Sequence, residues 1–185
     1  TIVAGVKRGI NVIDTAVNYR RQMSERAIGR AIRNLATEGV ARDSIFISTK
    51  GGYIAGDAAY TGSMRAWFDE TFLRPGLITA DELVAGCHCM TPAYIEHEIG
   101  ASMANLGLDQ IDLYYIHNPE HQLEEIDRPE FETRIRKAFE ACEKAAHDGK
   151  IRYYGTATWN GYRADASSRG FLDLARLWEI AMEVA

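Results

Sequence analysis

The chain has 185 residues, 46% hydrophobic and 25% charged, which suits one domain with a sizeable buried core. A formal charge of −5 without a basic stripe argues against a nucleic-acid surface, and no apolar run approaches the roughly 20 residues of a membrane span. No secretory signal is visible, and the three cysteines do not make a disulfide framework, so a reducing, cytoplasmic setting is expected.

Thr1 to Arg8 reads as the end of a helix stopped at Gly9. Residues 10–16 form the first predicted strand. Ser24 is the expected N-cap of a helix over about 25–36, where Ala27, Ile28, Ala31, Ile32 and Leu35 make one apolar stripe. The second strand covers residues 45–50. Residues 51–90, with Gly51-Gly52, Pro75-Gly76, Tyr60, Trp67 and Phe68, break the rhythm. They read as a long insertion with a short strand at 83–88, and long loops in compact domains are usually functional. Thr91-Pro92 reads as an N-cap followed by proline at the first helical position, opening a helix that stops at Gly107. A third strand at 111–116, a helix from about Pro129 to Asp148, a fourth strand at 151–157 and a helix over about 170–185 complete the chain.

Strands alternating with helices of this length indicate an α/β fold built of about four β/α units on a parallel sheet. The near-continuous apolar strands are those of a sheet buried on both faces. Three strands deliver reactive groups at or just past their C-terminal ends: Asp14 and Tyr19 after the first, Lys50 at the second, His117 at the third. In a parallel β/α barrel these ends share one face, where chemistry sits, so four residues about a hundred positions apart can converge. An acid, an amine, a phenol and an imidazole together can donate a proton to a carbonyl oxygen.

At this point the motifs identify a family resemblance. Gly9-Ile-Asn-Val-Ile-Asp-Thr-Ala16 with Tyr19, Ser24-Glu25 with Ile28-Gly29, Ser48-Thr-Lys50, the run from Leu106 to His117 with Pro119, and Gly149-Lys-Ile-Arg152 leading to Gly155 occur in order and at strand ends. Together they resemble the aldo-keto reductases, nicotinamide-dependent barrel enzymes. The resemblance implies a partial (β/α)8 TIM barrel forming a single domain over residues 1–185, with 51–90 as an active-site insertion. It also implies reduction of an aldehyde or ketone to an alcohol. Tyr19 is then the general acid, Lys50 lowers its pKa, Asp14 holds Lys50, and His117 orients the substrate. The cofactor is implied to be NADP(H), with NAD(H) also open, and a small carbonyl compound is the implied substrate. Oligomeric state is not implied.

The family usually places a polar pair after Gly155 for the nicotinamide carboxamide. Here Ala157 and Thr158 stand there, so Thr158 offers a hydroxyl and Ala157 only backbone. Trp159 either lines the substrate pocket or packs against the last helix. By resemblance the four strands are the family's second to fifth, so the first strand and the last three are expected outside residues 1–185. A nicotinamide-binding regulatory subunit of slow turnover is the alternative function, and a Schiff-base aldolase using Lys50 is disfavoured by Asp14 and Tyr19 around it. Cys87-His88-Cys89 lacks the usual spacing of zinc ligands. Asp112 reads as half of a structural pair and Glu25 as favoured by the helix dipole alone, while His88, His97, His121 and His147 read as incidental.

Overall fold

The computed structural model describes residues 1–185. Strands β1 (Val12–Asp14), β2 (Phe46–Gly51), β3 (Ile111–His117) and β4 (Ile151–Ala157) form one parallel sheet in that order. The helices are α1 (Ile2–Val6), α2 (Met23–Thr37), α3 (Met64–Phe68), α4 (Pro92–Leu106), α5 (Arg128–His147) and α6 (Leu174–Val184). Helices α2, α4 and α5 each return the chain to the start of the next parallel strand.

The sheet face toward these helices holds the core. Ile28, Ile32 and Leu35 of α2 meet Ile47, Ile95 and Ile99, while Ile135, Phe139 and Cys142 of α5 continue the same cluster. Burying each such side chain contributes about 1.5–3 kcal/mol. Register decides what stands on the opposite face. Asp14 pairs with Ser48, Ser48 with Leu113, Lys50 with Tyr115, and His117 with Ala157. Because strand side chains alternate, Asp14, Ser48, Lys50, Leu113, Tyr115 and His117 share that face. It is only partly covered: Val12 and Tyr153 are exposed.

Local differences from the sequence reading have identifiable causes. Strand β1 is three residues rather than seven, although Thr15 N still donates to Ser48 O and Val17 N to Lys50 O. Helix α2 begins at Met23 and its N-cap is Gln22, not Ser24. The cause is a left-handed turn at Arg20, Arg21 and Gln22, with φ of 52, 51 and 70°, which brings the chain into the helix early. Ser24 Oγ instead accepts a hydrogen bond from Thr15 Oγ1 at 2.9 Å. No strand forms at 83–88. Ala85 and Gly86 make a turn at positive φ, which leaves only the isolated antiparallel bridges Tyr53–His88 and Val84–His88. Helix α6 starts at Leu174, where the Asp173 carboxylate accepts from the Ala175 and Arg176 amides. The Thr91-Pro92 start and the Gly107 stop of α4 are as expected.

Within residues 51–90, α3 runs into a wider helical turn at Asp69–Leu73, and a short 3-10 turn spans Ala80–Glu82. Phe72, Ile78, Val84 and Met90 are buried, so the insertion carries part of the core. A bidentate ion pair ties it to α2: Arg26 donates to both Asp57 carboxylate oxygens at 2.7 Å. The Arg26 guanidinium, by hydrogen bonding, pulls the Asp57 carboxyl below the ordinary carboxylate range.

Candidate active site at the strand C-termini

The ends of β1, β2 and β3 bring Asp14, Lys50, Tyr19 and His117 together. Lys50 Nζ lies 2.5 Å from Asp14 Oδ2 and donates to the Thr15 carbonyl at 2.7 Å. Ser48 Oγ donates to the other Asp14 oxygen at 2.7 Å. Both carboxylate oxygens are thus directed, and the amine is held on a fixed side of β1. Lys50 is buried while Asp14 is half-exposed, so the pair sits at the boundary of the fold rather than inside it.

Tyr19 lies on the turn after β1. Its ring centroid is 5.4 Å from Lys50 Nζ and 5.9 Å from the His117 ring, which it meets edge-on. The expectation that Lys50 lowers the Tyr19 pKa is not met. The phenol is raised above its ordinary value, by burial first and by the Asp14 carboxylate second. The reason is geometric: Lys50 commits its hydrogen bonds to Asp14 and Thr15 and offers Tyr19 only its charge across the ring.

His117 is pushed down to about 4, mainly by burial and then by the Lys50 charge, against an opposing pull from Asp14. It is therefore a neutral imidazole at neutral pH. Its Nδ1 is buried without a partner in the chain. Asn118 follows in the left-handed region, at φ 46°, a conformation Asn tolerates well. From Asn118 a cavity of about 420 Å³ opens, lined also by Tyr53, Glu120, His121, Trp159, Asn160 and Arg169. A second cavity, of about 490 Å³, is apolar and lies between β4 and α6; none of the four residues lines either cavity. The polar one neighbours His117 through Asn118 and Tyr53.

At the end of β4, Ala157 stands in register with His117, and its carbonyl accepts from Asn118 N at 2.6 Å. Trp159 is 73% exposed and faces the polar cavity rather than α6. Its backbone N–H, with those of Asn160 and Gly161, donates to Glu120 Oε1, while Glu120 Oε2 is buried and unpartnered.

Several residues near the site escaped the sequence reading. Glu25 is fully buried, accepting from Thr49 Oγ1 at 2.6 Å and Asn105 Nδ2 at 2.9 Å, so it joins α2, β2 and α4 instead of serving the helix dipole alone. His88, read as incidental, is wholly buried and hydrogen-bonds the His117 carbonyl at 2.8 Å. Tyr53 meets the rings of His88, His117 and His121 edge-on. The Tyr53–His88 bridge joins two ends of the insertion, a pairing no local pattern announces. Asp112 is the structural partner expected, accepting from Arg42 at 2.6 Å and from Ile47 N at 2.8 Å.

Known proteins are similar to this chain in sequence and in fold. The model of the aldo/keto reductase family matches residues 1–169. The NADH-specific methylglyoxal reductase of Escherichia coli is 29% identical over 157 residues, 85% of this chain and 40% of its own length. The D-threo-aldose 1-dehydrogenase of a Pseudomonas species is 29% identical over 147 residues, covering 80% of this chain and 39% of its own length. An aldo-keto reductase structure from Bacillus halodurans superposes with a TM-score of 0.55 at 27% identity, covering 83% of this chain and 38% of that one. The chain spans about two-fifths of the length of these relatives, and its four parallel strands are part of their barrel. A family match over so much of the chain, together with the four-stranded parallel sheet, makes this chain a member of the aldo/keto reductase family.

Proposed function

We propose that the protein reduces an aldehyde or ketone to an alcohol with a nicotinamide cofactor, NADP(H) or NAD(H). The observation that carries this reading is the meeting of the Asp14–Lys50 ion pair, the Tyr19 phenol and a neutral His117 at adjacent strand ends. When bound, the cofactor supplies the hydride. The Thr158 hydroxyl makes no hydrogen bond within the chain, and it follows Ala157, the register partner of His117. That uncommitted group beside the site suits a carboxamide, so Ala157, Thr158 and Asp14 are the residues assigned to the cofactor.

The chain's own residues account for the proton. Tyr19 is protonated at neutral pH, as any phenol with a pKa at or above its ordinary value is. It gives its proton to the substrate oxygen as negative charge develops there, and the Lys50 ammonium, 5.4 Å from the ring centroid, is the cation that faces the phenolate left behind. Asp14 holds Lys50 in place for that role. His117, uncharged, donates a hydrogen bond to the same oxygen and takes no proton from Tyr19, since its own basicity is depressed.

His117, Tyr19 and Trp159 are assigned to substrate. The polar lining of the adjoining cavity favours a small oxygenated carbonyl compound, in keeping with the names of the E. coli and Pseudomonas relatives. The insertion is assigned to the roof of that pocket through Tyr53. A cytoplasmic setting fits three free cysteines, two of them buried.

The test is carbonyl-dependent oxidation of NADPH and of NADH by the full-length protein and its Tyr19→Phe variant. A loss of about 10²–10⁴-fold in the variant is expected for a missing general acid. Cofactor binding without turnover in the unmodified protein would instead favour the regulatory-subunit reading. Equal turnover in both proteins would remove Tyr19 from its role.

A further inference from the structure

A buried hydrogen-bonded chain reaches His117 from the insertion and from α5. Its first link is the carbonyl oxygen of His117 itself. β2 ends at Gly51, opposite Ile116, so the His117 carbonyl has no strand partner on that side. A buried backbone carbonyl must be paired, and here the His88 imidazole does so, with Nε2 at 2.8 Å. A carbonyl only accepts, so Nε2 of His88 carries the proton. The other ring nitrogen, Nδ1, then accepts from the Gln122 amide at 2.8 Å. The same Gln122 nitrogen donates to the His88 carbonyl at 3.2 Å, and Gln122 Oε1 accepts from Arg134 at 3.0 Å. Because Arg134 can only donate, the Gln122 amide cannot flip, and the His88 tautomer is determined from α5 inward.

The contact is built for close approach. Gly52 lies at φ 139°, and a Cβ there would stand 2.9 Å from His88 Nε2 and 3.1 Å from the His117 oxygen. Tyr53 meets both imidazoles edge-on, with ring centroids 5.0 Å from His88 and 5.1 Å from His117, and accepts from Asn118 Nδ2 at 3.2 Å. His88 is wholly buried, and burial pushes its pKa down to about 4, so it stays neutral while Tyr19 and Lys50 work nearby.

We infer that His88 is a positioning residue for His117. Its Nε2–H, set by Gln122 and Arg134, fixes the last peptide of β3 and so the direction in which the His117 imidazole is presented. The inference rests on the proposed role of His117 for its catalytic consequence, but not for its structural one. A misdirected imidazole would lose its hydrogen bond to the reacting oxygen while cofactor binding stayed intact.

Two measurements on the full-length protein test it. The first is the nitrogen-15 spectrum of the histidine rings in the unmodified protein. His88 should be neutral, protonated at Nε2 and not at Nδ1, from pH 6 to 8. The Nδ1–H tautomer or a charged ring there would overturn the inference without any variant. The second compares His88→Phe, which fills the space without a donor, with His88→Gln, whose amide restores one near the Nε2 position. In His88→Phe the His117 ring signals should move and kcat should fall about 10–100-fold, with the NADPH dissociation constant unchanged. His88→Gln should recover both. An unmoved His117 ring in His88→Phe, or no recovery in His88→Gln, would mean that His88 is a packing residue only. If His88→Phe does not fold, His88→Leu serves instead: it too removes the donor to the His117 carbonyl and should shift the His117 ring, and an unmoved ring would sink the idea. If the unmodified protein turns over no carbonyl substrate, the proposed function fails, and the ring signals alone decide the positioning role.

Discussion

Lys50 reaches back across the sheet to Asp14, at 2.5 Å from Oδ2, and donates to the carbonyl of the next residue, Thr15, at 2.7 Å. The amine is thus tied to side chain and backbone of the β1 terminus together. Replacing Lys50 with Met should leave the Asp14 oxygen and the Thr15 carbonyl short of a donor and remove the charge beside Tyr19. Carbonyl-dependent NADPH oxidation in the full-length protein should fall by about 10²–10⁴-fold, the scale of lost proton transfer. Asp14→Asn keeps Ser48 as a partner but leaves the lysine charge unpaired, so a smaller loss is expected. A larger loss for Asp14→Asn than for Lys50→Met would invert the assigned roles.

The left-handed turn after Tyr19 carries its own strain. Arg20, Arg21 and Gln22 occupy a region that costs a side-chain-bearing residue about 1–2 kcal/mol. Arg20→Gly should stabilise the protein by roughly 0.5–1 kcal/mol, since glycine loses part of the gain to unfolded-state entropy. Gln22→Gly should not, because Gln22 Oε1 accepts from Arg26 and from Asn105 at 3.2 and 3.0 Å. Thermal unfolding of the two variants separates backbone strain from side-chain bonding.

Gly29 is where α2 approaches the C-terminal end of α4. A Cβ there would stand 2.6 Å from the backbone oxygens of both Asn105 and Leu106. Backbone yields little, so Gly29→Ala should cost about 1–3 kcal/mol despite the better helix propensity of alanine. Chemical unfolding measures it, and a stabilised variant would show that the helices are free to separate.

Buried histidines and a buried glutamate should push the pH dependence of stability in opposite directions over overlapping windows. His88 has its pKa near 4 when folded and near 6.5 when unfolded. The unfolded chain binds the extra proton in that window, so stability rises with pH across it. His117 adds to the same acid arm. Glu98 behaves oppositely: burial, with the Glu25 charge second, raises it from 4.5 to about 8. The folded chain holds that proton longer, so stability falls as pH rises through this window. The two histidines outweigh Glu98 below about pH 6.5, so the net decline shows from there to about pH 8; Glu98→Gln should remove that decline, the whole Glu98 effect being worth on the order of a few kcal/mol, and His88→Gln should remove about half of the histidine rise. Unfolding midpoints from pH 4 to 9 test both, and parallel curves for Glu98→Gln and the unmodified protein between pH 4.5 and 8 would contradict the Glu98 part.

Much of this was legible because it is local. Apolar periodicity marked α2, α4 and α5, a proline after Thr91 and a glycine at 107 marked the bounds of α4, and apolar runs ending in Lys50 and His117 marked the strands. Ser24 failed as a cap because a left-handed turn at non-glycine residues has no compositional sign. Glu25 and His88 were misjudged because each finds its partners at long range: Thr49 lies 24 residues from Glu25, and Gln122 lies 34 from His88.

The sequence by itself determined the order of β and α elements, the chemistry-bearing groups at the strand ends and the family, since these depend on spacing along one segment at a time. Only the tertiary structure decided which way Lys50 points, why Tyr19 is raised rather than lowered, and that His88, Gln122 and Arg134 converge behind His117. Burial and direction are properties of the packed whole. A desolvated imidazole or a committed amine has the same letter in the sequence as an exposed one.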